Sequence, residues 1–562
     1  MAPGLPDAKL NASVEALKDL EEFESCVDDK VKSLPIWTMP LDEVLHFLFA
    51  AIDHLAATGK MEEASALVSR LSYLAPLLKM CPVPSDNGQN RRGAISERDI
   101  ERGMASAVAY GHLCEIMPEV RRGYYSVSSS KKEFRLDHAD QMVRDSGISD
   151  FCLIEINKAA EATKSTIDYE RPREILKVRR PITHPLFQDA LGDQYRHFWD
   201  AIVDPPLLLS NTYSSAFGFS KEEFRKVQAA LLAFANLSRS IAGAAANAAR
   251  AAPCATLRNK YIQQVNDWIS PCLKMIQIVK CLENCTGLSE AKVGMVLEPF
   301  ILDLWAEDSE LAGDGYFPPL VCISDTLMFS ALAVRTMVHE RNLLFSLNRK
   351  DAKAFNELVS HSLEPKLLDE TAAILALIPG ILIEQNVLWE RGEVDLLAYD
   401  PSCNVVLQLQ AKAAIPAQGA RMAQQLDHHT KKAIEQLDRL LQTDPAYRDH
   451  FCTKVFKRKI SGARWISAIM SRSGLGTHRA WSNLNDVIPL NSALLRGSVR
   501  HMGSDCALSS LPLVAKDNLD CLRGRLVVGY NQAQISLFGK KISLPTIESN
   551  EEEIVSARAA YS

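Results

Sequence analysis

The sequence has no Cys-x-x-Cys pair, no unbroken apolar run long enough to cross a bilayer and no surplus of basic residues. Its thirteen cysteines are scattered without a framework, which excludes a disulfide-stapled miniprotein and suits reduced thiols in a cytosolic chain. Cys272, Cys281 and Cys285 lie near one another, but no histidine pair completes a zinc-ligand spacing, so they read as packing residues. The most apolar stretch, IAGAAANAARAAPCA (241–255), is alanine-rich and interrupted by Asn247 and Arg250. No membrane span, and no membrane partner, is expected. The opening residues lack a basic segment followed by an apolar one, so a cytoplasmic location is expected, or a nuclear one in a eukaryote. Lys+Arg 63 against Asp+Glu 69 leaves a net charge of −6, so any nucleic-acid contact must come from a local patch. GLGTHRA lacks the spacing of a phosphate-binding GxxxxGK[ST] loop, and G-x-G-x-x-G, G-x-S-x-G and HExxH are missing. Those gaps exclude a P-loop motor, a serine-hydrolase elbow and a zincin.

What is present is 562 residues, 47% hydrophobic and 23% charged, the composition of a globular protein of two to four domains. Residues 10–80 carry helical periodicity, a polar, breaker-rich connector follows at 82–96, and Ser96 caps the next helix. YYSVSSSKKEF reads as a loop, as does IVDPPLLLSNTYSSAFGFS with Pro205 and Pro206. Long helices are predicted from Lys221 to about Ala252 and from Leu257 to Leu282, with further helical stretches around 288–306 and 323–347. After about 350 the texture changes. Two helical pieces, 350–361 and 365–377, are separated by Glu364-Pro365, and Pro379-Gly380 ends the second. Strand patterns follow at 381–389, 394–400 and 405–412, then a helix over roughly Ala423–Gln442 and a strand at 464–471. LRGRLVVGY and ISLFGKKISL read as β near the C-terminus. The predicted organisation is α+β and multidomain: a mostly helical region 1–345 (sub-boundary near 82–96), a mixed-sheet α/β domain 346–515, and a β-rich extension 516–562.

The chemistry concentrates in ERGEVDLLAYDPSCNVVLQLQAKAA (390–414). Folded as a hairpin around a four-residue loop, 401–404, the segment pairs Asp400 with Val405 and sets Asp395 opposite Gln410. Side chains alternate along a strand, so Gln408, Gln410 and Lys412 share a face with Asp395, while Val405, Leu407, Leu409 and Ala411 form an apolar row. A carboxylate, an amide and an ammonium then converge. That set suits metal-assisted phosphodiester hydrolysis, with oxygen ligands for a hard cation and a lysine beside the attacking water.

The segment resembles the PD-(D/E)XK superfamily, the restriction-endonuclease-like nucleases. Gly392-Glu393-Val394-Asp395-Leu396-Leu397 is similar to its second strand, and Gln410-Ala411-Lys412 to the Gln-x-Lys variant of Mrr-like members. The resemblance covers roughly 350–475; Val394 stands where some members have proline, and Gln410 replaces the commoner glutamate. It implies an α/β restriction-endonuclease-like domain with a mixed central sheet. It also implies Mg²⁺ (or Mn²⁺) on Asp395, Gln410 and a glutamate from the preceding helix, with Lys412 as the catalytic ammonium. Glu370 is the first choice for that glutamate and Glu357 the competitor. The activity implied is endonucleolytic, on DNA, in restriction, phage defence or repair. Duplex cleavage favours a homodimer, since a single centre cuts one strand.

Residues 451–500 hold nine basic side chains against one acid, Asp486. Lys454, Lys457, Arg458, Lys459, Arg464, Arg472 and Arg479 are therefore the candidates for binding a phosphate backbone. Trp465 and Trp481 lie among them; either has a ring to stack on a base, though Trp465 in RWISAIM also suits a core. On the helix after the lysine strand, Gln436 lacks the aromatic partner that some RecB-like nucleases have four residues later, and the tandem His428 and His429 read as exposed. The rival reading is a helical interaction or scaffold protein whose nuclease-fold domain binds nucleic acid without cutting. The helical region offers surface for protein partners in either case.

Overall fold

The computed structural model describes residues 7–83, 95–158, 170–201, 207–305, 316–414, 420–503 and 507–561. Pro205, Pro206 and most of the connector 82–96 lie outside the described residues. The chain is α+β. Its N-terminal part is mainly helical but holds strands where the sequence reads as loop or helix. YYSVSSSKKEF forms a hairpin, β1 (Tyr125–Ser129) and β2 (Glu133–His138), which buries Val127, Phe134 and Leu136.

Ser220 opens the next major element with a capping box. Its Oγ accepts from the Glu223 N–H at 3.1 Å, and the Glu223 carboxylate accepts from the Ser220 N–H at 2.7 Å. The helix it starts, α1 (Lys221–Arg250), is the one among the described residues long and apolar enough to cross a membrane, and most of it is buried inside the protein. Its alanines let neighbouring helices approach closely around Phe224, Leu231 and Phe234. The helix expected over 257–282 is broken. Pro271 has no N–H to donate and pushes Ser270 out of helical geometry, leaving helices Ala255–Ile269 and Met275–Thr286 around a short strand, β3 (Cys272–Lys274). Likewise the helical stretches expected around 288–306 and 323–347 are only partly helical, because β4 (Ile301–Asp303) lies in the first and β6 (Thr326–Met328) in the second; with β5 (Leu320–Ile323) they join β3 in a sheet ordered β3-β6-β5-β4.

Glu364-Pro365 does not separate two helices. The helix Ala352–Leu358 runs through a π turn, Val359–Leu363, straight into α2 (Glu364–Leu375), with Pro365 in its first turn where no N–H is needed. Next come β7 (Leu382–Trp389), β8 (Gly392–Asp400), β9 (Val405–Lys412), the helices α3 (Ala420–Leu441) and α4 (Pro445–Phe456), β10 (Arg464–Ser471) and β11 (Val487–Asn491). They build one mixed sheet ordered β11-β10-β9-β8-β7, antiparallel through β7-β8-β9 and parallel through β9-β10-β11. Leu396, Ala398, Leu407 and Leu409 on one face meet Leu367, Leu368 and Leu375 of α2 in a core shared with α1. Leu397, Tyr399 and Val406 pack with Phe451, Cys452 and Phe456 of α4 on the other. One buried core therefore runs across the expected division at 345/346.

The C-terminal hairpin, β12 (Val527–Leu537) and β13 (Lys540–Ser549), turns at Phe538 and Gly539 with φ of 45° and 83°, the positive values a tight two-residue turn needs. β13 pairs in parallel with β2, so the extension returns to the N-terminal part in a sheet ordered β1-β2-β13-β12. LRGR of LRGRLVVGY belongs to the helix Leu511–Leu526 rather than to a strand.

Candidate active site where two strands part

The hairpin register is the one the sequence dictates: Asp400 pairs with Val405, and the ladder continues to Leu396↔Leu409. There it stops. Beyond it, side chains replace backbone pairing: the Asp395 carboxylate accepts from the Ala411 N–H at 2.7 Å, and the Gln410 amide donates to the Glu393 carbonyl at 3.0 Å. On the far side of β8, Asn386 of β7 adopts φ 52° between the pairs Gln385↔Leu396 and Val387↔Val394, level with Asp395. The strands thus part at the position of the predicted acid.

Gln410 is 0% exposed, and its Oε1 has no hydrogen-bond partner. An unpaired buried oxygen costs about 1–3 kcal/mol, so such an atom calls for an explanation. Gln408, two residues back, also has an unpartnered Oε1, but its amide is spent on the Leu437 carbonyl of α3 at 3.2 Å and on Ser467 Oγ at 2.8 Å, deep under the helix. Only Gln410 of the two neighbours a carboxylate that is partly open to solvent. Burial raises the pKa of Asp395, opposed by the Lys412 charge and the Ala411 N–H, while Glu393 adds to the rise.

A second acid shares this field, and it is neither of the two expected. Burial raises the pKa of Glu364, at the start of α2; Lys412 pulls it down, and Asp395 and Glu393 push it further up. Glu364 therefore shares one electrostatic neighbourhood with Asp395 and Lys412. Glu370 lies two turns along and pairs with Lys366 at 3.6 Å, with the buried Arg472 nearby. Glu357 is exposed and pairs with Lys353 at 3.9 Å. A signal for Glu364 existed in the sequence. α2 leads into β7 through the turn at Gly380, so its first residues lie level with the end of β7 and the start of β8. A mid-helix residue falls about 9 Å short of that level at 1.5 Å per residue.

The basic stretch does not surround this site. β9 and β10 run in parallel with Arg464 beside Val405 and Ser471 beside Lys412, so Arg464 lies about 23 Å of strand from Lys412. Lys457, Arg458 and Lys459 are exposed in the loop entering β10, whose Ser461 carbonyl accepts from Asn404 of the hairpin loop, at that same distant end. Lys454 is exposed on α4, one turn before that loop. Arg472 is at the near end but only 9% exposed, donating to the Leu363 carbonyl at 3.3 Å and bracing the turn that precedes Glu364. Arg479 is exposed and donates to the Arg122 carbonyl at 3.0 Å. Proximity in sequence misleads here because a strand carries its two ends far apart. Trp465 packs beside Arg448, whose guanidinium lies 5.7 Å from the ring centre, and Trp481 donates to the Asp150 carboxylate at 3.2 Å. Neither ring is held out for a base. Cys281 is buried and Cys285 half-buried, as packing residues, while Cys272 is exposed.

Among the described residues no group of three or more His, Cys, Asp and Glu side chains is spaced to hold a metal ion. A cation at this site would rest on the Asp395 and Glu364 carboxylates completed by the Gln410 amide oxygen. The donor set fits a hard cation: all ligand atoms are oxygen, one is buried and unpaired, and burial holds both carboxylates above their ordinary pKa. Compared with known proteins, the chain matches no protein-family model, no curated protein and no solved structure.

Proposed function

We propose that this chain is a metal-dependent nuclease with a restriction-endonuclease-like domain, hydrolysing phosphodiester bonds in DNA. The order helix, three antiparallel strands, two helices, parallel strand supports the reading, with Asp395 on the second strand and Gln410-x-Lys412 on the third. The observation that carries it is the site itself. Two carboxylates and an unpartnered amide oxygen gather beside a lysine where β8 and β9 part.

Mg²⁺ or Mn²⁺ is the cofactor proposed, on Asp395, Glu364 and Gln410 Oε1; when bound it supplies Lewis acidity and lowers the pKa of a coordinated water. The chain's own groups do the rest. The Ala411 N–H fixes the Asp395 carboxylate, and the Glu393 carbonyl fixes the Gln410 amide so that its oxygen remains free. Lys412 offers an ammonium to orient the attacking water and to offset charge developing on the phosphate. Duplex cleavage calls for two such centres, hence a homodimer, and the N-terminal helices offer surface for protein partners. A second reading, nucleic-acid binding without cleavage by a scaffold protein, is favoured by one observation: Gln410 is neutral and fully buried, which removes a negative charge from the metal site.

Incubation with supercoiled plasmid and Mg²⁺ or Mn²⁺ tests the proposal. Wild-type protein nicks or linearises the plasmid, and Lys412→Ala and Asp395→Ala do not. Equal cutting by all three removes these residues from their roles. Binding without any cutting selects the second reading.

A further inference from the structure

The distant position of the 454–464 cluster leaves the site without its expected phosphate anchor, and α3 carries another. Leu426, Thr430, Ala433, Leu437 and Leu440 are its buried stripe. Asp427 is bonded to Thr477 on one flank, through its N–H and Oγ1, both at 2.6 Å. The opposite flank presents Gln425, His429, Lys432, Gln436 and Arg439, at i, i+4, i+7, i+11 and i+14, with no acid in the row. Gln436 is half-buried and the other four are exposed.

One hydrogen bond and one shared electrostatic field place this flank beside the site. Desolvation of its ring lowers the pKa of His429, and the charges of Lys412, His428 and Lys432 lower it further, so His429 and Lys412 share one field. At the other end, Arg439 donates to the Arg391 carbonyl at 3.5 Å, in the turn between β7 and β8. Among the described residues, neither Lys412 nor Lys432 forms an ion pair with a carboxylate. The row is about 21 Å long at 1.5 Å per residue, room for about six phosphates of one strand at 3.4 Å each.

We infer that this flank of α3, through His429, Lys432 and Arg439, is the surface on which the phosphate backbone of DNA lies as it enters the site, an inference that rests on the nuclease reading. The row is continuous with Lys412, its charge complements a polyanion, and its donors suit phosphate oxygens rather than base edges.

The test is fluorescence anisotropy with a labelled DNA duplex in EDTA, where nothing is cut, across a salt series. The wild-type chain is compared with His429→Ala/Lys432→Ala/Arg439→Ala and with Lys457→Ala/Arg458→Ala/Lys459→Ala. The α3 variant loses about tenfold or more in affinity, and the slope of log K against log[salt] falls by about 2, for two permanent charges removed. The loop variant binds like wild type. Lys432→Glu alone, at an exposed position that tolerates charge, repeats the loss if the triple variant misfolds. The opposite pattern, with the loop variant weakened and both α3 variants unchanged, overturns the inference while wild-type plasmid cutting leaves the nuclease reading standing. Neither binding nor cutting by wild type overturns both.

Discussion

Replacing Gln410 by glutamate sets the metal reading against a purely structural one. In the wild type the Gln410 amide donates to the Glu393 carbonyl at 3.0 Å, and the buried Oε1 has no partner. Without a cation, Gln410→Glu loses that hydrogen bond, about 0.5–1.5 kcal/mol, and leaves the Glu393 carbonyl unpaired, about 1–3 kcal/mol. It also buries a second carboxylate beside Asp395, whose pKa is already raised by burial. The two hydrogen-bond losses alone destabilise the protein by about 1.5–4.5 kcal/mol in EDTA near neutral pH, and the buried carboxylate adds to them. With excess Mg²⁺ the new carboxylate becomes a third anionic ligand. A tenfold gain in metal affinity returns about 1.4 kcal/mol more than Mg²⁺ gives the wild type. The control, Gln410→Met, removes the orphan oxygen along with the hydrogen bond. It stays within about 1 kcal/mol of wild type and loses any response to Mg²⁺. Thermal and urea melts of the three proteins, each with EDTA and with Mg²⁺, read both effects. Identical Mg²⁺ responses in wild type, Gln410→Glu and Gln410→Met refute the reasoning, because Gln410 would then have nothing to do with a cation.

Glu364→Gln reduces metal-dependent cutting by about 10–100-fold or more, whereas Glu370→Gln leaves it within a few-fold of wild type, in the same plasmid assay. Asp400 is 0% exposed and accepts from the Ser402 N–H, Ser402 Oγ, Cys403 Sγ and the Leu508 N–H, so Asp400→Ala costs about 2–4 kcal/mol in a urea melt. Burial holds Asp150 at about 6, above its ordinary 3.8, while its Oδ1 accepts from Leu475 N, Gly476 N and Trp481 Nε1. A raised carboxylate stabilises below 3.8 and loses that contribution as pH rises through 6. Asp150→Asn, which keeps an acceptor at Oδ1, therefore gains on the wild type by about 1.4 kcal/mol per pH unit from about pH 4 to 6 and by nothing further above; a constant difference across that range contradicts the assignment. The raised carboxylates of Asp395 and Glu364 also make Mg²⁺ binding weaken as pH falls, because protonation removes the ligands; calorimetric affinities that do not fall between neutral and mildly acid buffer count against the site.

The hairpin 392–412 was readable to the residue because its turn and its apolar alternation both specify a single register, Asp400 with Val405 and Leu396 with Leu409. The helix before it, the helix after it and β10 followed from periodicity and breakers in the same way. Glu364 was overlooked because its signal is not a local motif: it comes from counting back from Gly380 along α2 to the level at which β7 ends and β8 starts. The basic stretch misled for a related reason, since seven residues of strand separate Arg464 from the level of Lys412. β1 and β2 hid behind a serine run, and β3 to β6 are three or four residues each, too short for alternation to register. That β13 would pair with β2, across some four hundred residues of chain, is fixed by packing alone.

Divalent-metal binding tests the central claim most directly, followed through the electron paramagnetic resonance of Mn²⁺, whose sharp free-ion signal disappears on binding. The account predicts saturable uptake of Mn²⁺ by the wild-type chain, competed by Mg²⁺ and lost in Asp395→Ala and Glu364→Gln. Undiminished free Mn²⁺ in the presence of wild-type protein, or equal uptake by the two variants, contradicts it.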